Sequence, residues 1–324
     1  MGPELLPRLY ELALWLHSEH GMRVIVEWAD FKALHGSLPF LETFAPQVEA
    51  ASLHRRVDFV LCLGGDGVIL HSSQLFAGAA PPVVAFSLGS LGFLANHDFA
   101  DYARDLTRLI RAAQDGEGVF ITLRMRLHCE ILRKGKRLPG KVYSVLNEVV
   151  VDRGSNPYLS KIECYERGRL ITKVQADGVL ISTPTGSTAY SVSAGGSMVH
   201  PSVPAILFTP ICPHSLSFRP ILLPDSAELE LRVPDDARDT AWVCFDGKKR
   251  QQLQRGDSVT IRMSAHPLPT INKRDQTDDW VVSLTEVRTK RNERMKLLEC
   301  GGGLQAKEHL IIFSYDQVHL TKAL

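Results

Sequence analysis

The strongest constraint on the fold is an alternation of predicted helices and strands over the first 118 residues. A buried-strand pattern at 57–63 leads into the glycine turn Gly64–Gly67, and the apolar spacing after it predicts a helix over 68–76. Further helices are predicted at 3–21, near 45–53 and over 101–118, and further strands at 22–28 and 82–86. Such alternation is typical of a doubly wound parallel sheet covered by helices. Because such a sheet normally opens with a strand, we expect the chain to lack its first strand or to be a piece of a longer protein.

After residue 118 the pattern changes to that of a β-rich domain. The apolar spacing shortens toward two residues in segments such as KVYSVLNEVVVD (141–152), and turn residues separate these segments. Both features are typical of antiparallel sheets. In the last residues, 280–300 resemble a helix and 309–320 a strand. We therefore predict an α/β domain at 1–118, a mainly antiparallel β-rich domain at 119–277 and a tail at 278–324.

Composition excludes several classes of function. The 37 Lys and Arg residues balance 36 Asp and Glu residues, so no long-range field attracts nucleic acid or an anionic membrane. The six cysteines are dispersed without a CxxC pair, which argues against a zinc site or a disulfide scaffold and favours a reducing compartment. No apolar run reaches the roughly 18 residues of a membrane helix, and the first residues lack a secretory core. We expect a globular protein that is not secreted and binds neither nucleic acid nor membrane.

The glycine turn places a carboxylate at the end of a predicted central strand, where open α/β sheets bind ligands. Gly64, Gly65 and Gly67 allow a phosphate to approach the backbone, and the start of the next helix favours anions. A carboxylate repels phosphate, so Asp66 better fits a group that accepts a hydroxyl proton, or bridges through Mg²⁺, during phosphoryl transfer. Alternatively, Asp66 caps the next helix or stabilises a tight turn.

A second candidate segment is rich in hydroxyl groups. The dipeptide Asp177-Gly178 precedes a predicted strand at 179–181, and eight Ser, Thr and Tyr residues follow within 182–193. Neutral hydroxyl donors at a helix start can surround the phosphates and ribose of a nucleotide without adding charge. The alternative is a surface loop, although such loops seldom separate a buried strand from a helix.

Two polar residues interrupt the predicted strand at 142–152. Asn147 and Glu148 must point to opposite faces if this strand is regular, so one of them faces the core and needs a partner from the protein or a ligand. A structural role is the alternative for this pair. The basic run Lys248–Arg250, next to a predicted Asp246-Gly247 hairpin turn, is expected to be solvated, whereas His214, in the same segment as Arg219, is expected to pack near a turn.

Six segments together resemble NAD kinases, most closely those of plants and animals. They are GGDG (64–67), LGSLGFL (88–94), NEVVVDRG (147–154), DGVLISTPTGSTAYSVSAGG (177–196), PICPHSLSFRP (210–220) and FDGKKR (245–250). The resemblance implies transfer of the γ-phosphoryl group of ATP, as its Mg²⁺ complex, to the 2′-hydroxyl of the adenosine ribose of NAD⁺, which gives NADP⁺ and ADP. It also implies an α/β domain and a β-rich domain with NAD in the cleft between them, and a last helix that returns to the first domain.

The resemblance assigns roles to individual residues. It implies that Asp66 orients and deprotonates the 2′-hydroxyl, with no direct metal ligand because Mg²⁺ arrives on ATP. The residues that it implies for nucleotide binding are Gly64, Gly65, Gly67, Phe93, Asn147, Glu148, Asp177, Thr188, Ala189, Tyr190 and Ser193. It further implies a homo-oligomer, a dimer or tetramer, in the cytoplasm or a plastid.

Two other functions stay open at this point. A catalytically silent NAD(P)-binding regulatory module would fit a truncated kinase, and GGDG alone also fits related lipid and sugar kinases. The TPTGSTAY stretch at 183–190 argues against the lipid and sugar kinases. Nothing in the segments decides between NAD⁺ and NADH, between ATP and polyphosphate, or on control by a calcium sensor.

Overall fold

The computed structural model describes residues 5–45, 52–89, 92–215 and 218–285, together with the backbone of 309–314. The chain divides into two compact units. Unit 1 combines Met1–Leu123 with Leu268–Leu324, and unit 2 is the continuous segment Arg124–Pro267. Within the described ranges, no helix has both the length and the apolar character needed to cross a membrane.

Unit 1 is an α/β unit built on one sheet. Its helices are α1 (Leu5–His20), α2 (Trp28–Leu34), α3 (Asp66–Leu75), α4 (Tyr102–Asp115) and α6, helical over 276–285. Its strands are β1 (Arg23–Val26), β2 (Glu42–Thr43), β3 (Phe59–Leu63), β4 (Val83–Ser87), β5 (His97–Asp98), β6 (Ile121–Arg124), β18 (Leu268–Ile271) and β19 (His309–Ser314). The sheet order is β2-β1-β19-β3-β4-β18-β6, and β5 pairs with β4.

Four strand pairs in the sheet of unit 1 are parallel. β1–β2, β3–β4, β4–β18 and β4–β5 pair in parallel, as the sequence predicted for a doubly wound domain. β19 lies between β1 and β3 and is antiparallel to both. The sheet is therefore mixed, and a strand from near the end of the printed sequence occupies the place between the first two long strands.

Local signals set the ends of the predicted helices. The Gly21 N–H donates to the carbonyl of His17 at 3.0 Å, and Gly21 has a φ of 61°, so α1 ends where the glycine predicts. Gly116, with a φ of 72°, closes α4 in the same way. The seven-residue helix α2 was not predicted, because two turns show little periodicity. The predicted tail helix is described only as far as residue 285; the rest lies outside the described residues, as does most of 45–53.

Unit 2 is an antiparallel β unit, as predicted. Its strands are β7 (Leu127–Arg133), β8 (Lys136–Val145), β9 (Glu148–Asp152), β10 (Ser160–Glu166), β11 (Arg169–Ser182), β12 (Ala205–Pro213), β13 (Ile221–Pro224), β14 (Leu229–Arg232), β15 (Ala241–Phe245), β16 (Lys248–Leu253) and β17 (Ser258–Met263). The main order is β16-β15-β9-β11-β10-β14-β17-β7-β8, and β12 pairs with β11 and β13. A short helix, α5 (Tyr190–Ser193), follows β11.

The strand that Asn147 and Glu148 interrupt is not regular. β8 ends at Val145, the chain bends at Leu146 and Asn147, and β9 begins at Glu148. The two polar residues therefore lie at a break between strands, where strict alternation between two faces does not apply.

Candidate active site

The glycine turn follows the end of β3 and begins α3. Gly64 has a φ of 140°, which only glycine adopts readily, and its N–H donates to the carbonyl of Phe86 on β4 at 3.0 Å. Gly65 is the N-cap residue of α3 and Asp66 is its first residue. The turn thus presents Asp66 at the carboxyl ends of two neighbouring parallel strands and at the positive end of a helix.

The Asp66 carboxylate binds the backbone of the loop after β4. Its Oδ1 accepts the N–H groups of Leu94 (3.0 Å) and Ala95 (3.2 Å), and its Oδ2 accepts that of Phe93 (3.1 Å). No side-chain hydrogen bond caps α3, so the helix-cap interpretation of Asp66 is not the one that the contacts support. Since a carboxylate oxygen accepts about two hydrogen bonds, Oδ2 keeps one acceptor position for an incoming hydroxyl.

Gly92 packs directly against this carboxylate. A Cβ at residue 92 would lie 2.1 Å from Asp66 Oδ1, whereas a Cβ at Gly89, in the same loop, would meet no atom within 4 Å. We expect Gly92→Ala to move the Asp66 carboxylate or the loop after β4. For a reaction that uses this carboxylate, kcat/KM should fall roughly tenfold to a hundredfold. Steady-state kinetics of Gly92→Ala beside Gly89→Ala measures the effect. Equal kinetics of the two variants would contradict it.

Asn147 and Glu148 present unpartnered oxygens in unit 2. Glu148 is buried and faces Ser182 across the β9–β11 pair. Within the described residues, Asn147 Oδ1 and Glu148 Oε2 are buried without a hydrogen-bond partner. The pKa of Glu148 is raised from 4.5 to about 7, chiefly by burial and also by the Asp246 carboxylate, against the opposing effect of the Tyr190 backbone N–H. Buried polar atoms are normally satisfied, so this pair is suited to bind a ligand with hydroxyl or amide groups.

Glu148→Gln is expected to stabilise the fold at high pH while weakening ligand binding. Because the pKa of Glu148 is higher in the folded than in the unfolded state, its carboxyl contributes its full stability below about pH 4.5. This contribution is lost as pH rises through about 7. The raised pKa corresponds to a loss on the order of 3 kcal/mol in the free energy of unfolding at pH 8. Thermal unfolding at pH 5 and pH 8 measures the effect. Glu148→Gln should raise the melting temperature relative to the unmodified chain by more at pH 8 than at pH 5.

Glu163 provides a control of opposite sign for this measurement. It is also buried, but its hydrogen bond with Lys173 holds its pKa below the ordinary value. Its ionised form therefore stabilises the fold, and Glu163→Gln should give no gain at pH 8. A Glu148→Gln gain that does not grow with pH would argue against the raised pKa.

Most of the hydroxyl-rich segment serves the fold and not a ligand site. The Thr183 hydroxyl donates to the carbonyl of Leu146 at 2.5 Å and accepts the Gly186 N–H at 3.0 Å. The Ser187 hydroxyl donates to the carbonyl of Pro184 at 2.6 Å, and the Ser191 hydroxyl lies 3.1 Å from that of Thr209. Thr188 and Ala189 are half-buried, whereas Tyr190 and Ser193 are exposed. Of the eight hydroxyl residues, those at 188, 190 and 193 are therefore the ones that a ligand can reach.

Asp177 lies on β11 in an ion pair. Its Oδ1 accepts Arg153 Nε at 2.7 Å, and both side chains are about one-third exposed. Burial raises the pKa of Tyr190, and the charges of Asp152, Cys212, Asp177 and Glu148 raise it further. The charges of Asp177 and Glu148 thus both act on Tyr190, and the Tyr190 backbone N–H bonds to Glu148.

The predicted residues thus fall into two groups, one in each unit. Unit 1 brings together the glycine turn, Asp66 and the backbone of Phe93. Unit 2 brings together Asn147 and Glu148 with Asp177 and the segment from Thr188 to Ser193. Lys248–Arg250 are exposed, as expected for solvated residues, and Arg250 pairs with Asp152 at 3.0 Å. His214 and Arg219 are exposed as well, so the expected packing of His214 is not observed.

Sequence reasoning missed the role of one carboxylate near this group. Asp246 was interpreted as a hairpin-turn residue, and Asp246-Gly247 does form the turn between β15 and β16. Its side chain, however, is 5% exposed and is bonded to the segment that carries Asn147 and Glu148. An aspartate is common in such turns, so no separate signal in the sequence indicated this contact.

Comparison with known proteins finds relatives for both units. The model of the ATP-NAD kinase N-terminal domain matches residues 3–114, and that of the ATP-NAD kinase C-terminal domain matches 146–273. NAD kinase 2, chloroplastic, of Arabidopsis thaliana is 65% identical over 287 residues, which cover 88% of this chain and 29% of that protein. Probable NAD kinase 2, chloroplastic, of Oryza sativa subsp. japonica is 64% identical over 287 residues, with the same two shares. The chain therefore spans less than a third of the length of these two relatives.

One solved structure is similar to this chain over most of the length of both. The crystal structure of yeast NADH kinase complexed with NADH has a TM-score of 0.77 and 31% sequence identity to this chain. The similarity covers 94% of this chain and 86% of that one.

Proposed function

Since the chain belongs to the NAD kinase family, we propose that it phosphorylates the 2′-hydroxyl of the adenosine ribose of NAD⁺ with ATP. The single observation that carries the proposal is the arrangement of Asp66, whose Oδ2 has one backbone donor and an acceptor position left. The matched models describe ATP-NAD kinase domains, which supports ATP as donor and NAD as acceptor.

The proposed reaction breaks the bond between the γ-phosphorus and the β,γ-bridging oxygen of ATP and forms a bond from that phosphorus to the ribose 2′-oxygen. The 2′-hydroxyl proton passes to Asp66 Oδ2, and ADP leaves. An aspartate is a weak base near neutral pH. Its contribution is therefore orientation of the hydroxyl and acceptance of the proton late in a loose transition state. Mg²⁺ is proposed to arrive with ATP and to neutralise the charge of its phosphates.

The nucleotide-binding roles are also part of the proposal. Asn147 and Glu148 are proposed to bind NAD through the two oxygens that lack protein partners. Asp177, Thr188, Ala189, Tyr190 and Ser193 are proposed to enclose it, in keeping with the accessible side chains at 188, 190 and 193. Gly64, Gly65 and Gly67 are proposed to admit the phosphates of the donor, and Phe93 to line the adenosine pocket.

A coupled assay for the phosphorylated product tests the function. NAD⁺ and NADH are each offered as acceptor, with ATP, other nucleoside triphosphates or polyphosphate as donor, and with or without Mg²⁺. Formation of NADP⁺ that requires both ATP and Mg²⁺ is the expected result. Saturable NAD binding with no product from any donor would instead indicate the non-catalytic module. Use of NADH is an outcome to measure, since the similar yeast protein is named an NADH kinase.

Assembly and location complete the proposal. We propose a homo-oligomer, which light scattering coupled to size-exclusion chromatography measures directly. The names of the two plant relatives contain the word chloroplastic, which supports the plastid among the two expected compartments. Fractionation of the source tissue, probed with an antibody against unit 2, distinguishes plastid from cytoplasm.

A further inference from the structure

Asp246 occupies a turn position but is buried as turn residues seldom are. Asp246 and Gly247 have φ values of 47° and 68°, which define a type I′ hairpin turn that favours Asp and Asn. Lys134 and Gly135 have φ values of 47° and 78° between β7 and β8, and Lys134 is exposed. Asp246 is only 5% exposed, so the geometry of the turn does not account for the burial of its side chain.

The buried carboxylate binds three consecutive backbone N–H groups. Asp246 Oδ2 accepts the N–H of Leu146 at 2.9 Å, and Oδ1 accepts those of Asn147 at 2.8 Å and Glu148 at 3.2 Å. The Asp246 N–H in turn donates to the carbonyl of Glu148 at 3.0 Å. These bonds cover Leu146 and Asn147, which lie between β8 and β9, and Glu148, the first residue of β9. Asp246 thus supplies acceptors to the backbone of the residues that carry the unpartnered oxygens.

A second set of contacts fixes the same segment through its carbonyl groups. The Asn147 carbonyl accepts the Thr183 N–H at 2.9 Å, and the Leu146 carbonyl accepts the Thr183 hydroxyl. Gly186 packs against the same carbonyl group: a Cβ at residue 186 would lie 2.1 Å from the backbone carbonyl oxygen of Asn147. The backbone at 146–148 is therefore bonded at both its N–H and its carbonyl groups, while Asn147 Oδ1 and Glu148 Oε2 are left without protein partners.

We propose that Asp246 is a positioning residue for nucleotide binding, because its carboxylate holds the backbone of 146–148 and thereby aims Asn147 and Glu148 at the acceptor nucleotide. This inference rests on the proposed function and adds a residue to its binding site. Both carboxylate oxygens are required. An asparagine would keep one acceptor but place an NH₂ group against one of the backbone N–H donors.

The electrostatics of unit 2 agree with this assignment. Burial holds the pKa of Asp246 above its ordinary value, and the three N–H donors and Lys248 reduce that rise. Hydrogen bonds from backbone N–H groups favour the ionised form of a carboxylate. The Asp246 charge in turn contributes to the raised pKa of Glu148.

The test compares Asp246→Asn with Lys134→Asn. Asn is as favourable as Asp in a type I′ turn, so Asp246→Asn preserves the hairpin and removes one acceptor. The control substitutes the equivalent position of the β7–β8 turn, where the Lys134 side chain is exposed. Calorimetric titration with NAD⁺, steady-state kinetics and hydrogen exchange of peptides that contain 146–148 are measured for both variants and the unmodified chain.

We expect Asp246→Asn to raise the Kd and KM for NAD⁺ roughly tenfold, with kcat within about threefold and faster exchange at 146–148. Lys134→Asn should leave all of these unchanged. Unaltered NAD⁺ affinity in a folded Asp246→Asn variant would overturn the positioning role while the proposed function stands. If the asparagine variant does not fold, the test is repeated with Asp246→Gly in the full chain, since glycine also suits this turn. If the unmodified chain binds no NAD⁺, the proposed function and this inference both fall.

Discussion

Asp66→Asn is expected to lower kcat for NADP⁺ formation by about 10²–10⁴-fold while the KM for NAD⁺ changes little. The substitution removes the proton acceptor but keeps the size of the side chain. Asn also places an NH₂ group against one of the three N–H donors at 93–95, so a local loosening of this loop should accompany the loss of turnover. Single-turnover kinetics with saturating ATP separates the chemical step from binding.

The matched control for this substitution is Asp115→Asn. Asp115 is an exposed aspartate at the end of α4 in the same unit, so its neutralisation changes the net charge equally. It should retain full activity. Retention of full activity by Asp66→Asn would remove the proposed base, and a large rise in the KM for NAD⁺ with unchanged kcat would assign Asp66 to binding alone.

Gly186→Ala is expected to disrupt unit 2, because the added methyl group overlaps the backbone of Asn147. The added Cβ would lie 2.1, 2.5 and 2.7 Å from the carbonyl oxygen, carbonyl carbon and Cα of Asn147. All three are backbone atoms, and the oxygen accepts the Thr183 N–H, so no side-chain rotation relieves the overlap. We expect a loss on the order of 3–5 kcal/mol in unfolding free energy and undetectable NAD⁺ binding.

Gly118→Ala serves as the control for the added methyl group. A Cβ at residue 118 meets no atom within 4 Å, and its φ is not in the left-handed region. Chemical denaturation and calorimetric titration of the two variants provide the comparison. If Gly186→Ala unfolds at the same denaturant concentration as Gly118→Ala, the close packing of Gly186 on Asn147 is wrong.

Features that depend on neighbouring residues were predictable from the sequence. α1 and α4 have regular apolar spacing and end at Gly21 and Gly116, and the glycine turn follows a continuous apolar strand. Two-residue alternation separated the β-rich unit from the α/β unit without any tertiary information. The resemblance to NAD kinases, which rested on short segments in a fixed order, is confirmed by the match of both domain models.

Features that depend on distant contacts were not predictable. The sequence shows eight hydroxyl groups at 182–193 but not that Thr183 and Ser187 are used up by internal hydrogen bonds. It shows Asp246 in a turn but not that the turn folds back on residues 146–148. The break of the strand at Asn147 has the same cause, since the acceptors for the backbone N–H groups there come from a hairpin about 100 residues later.

Strand β19 has a consequence for the order of folding during synthesis. The ribosome releases the whole of unit 2 before residues 309–314, so that unit can form its sheet while β1 and β3 still lack the strand between them. Until then β1 and β3 each carry a row of open backbone groups, the kind of edge that pairs with other chains. Unit 1 therefore completes its sheet only after all of unit 2 has been synthesised, and its open strand edges are the part of the folding chain most prone to aggregate.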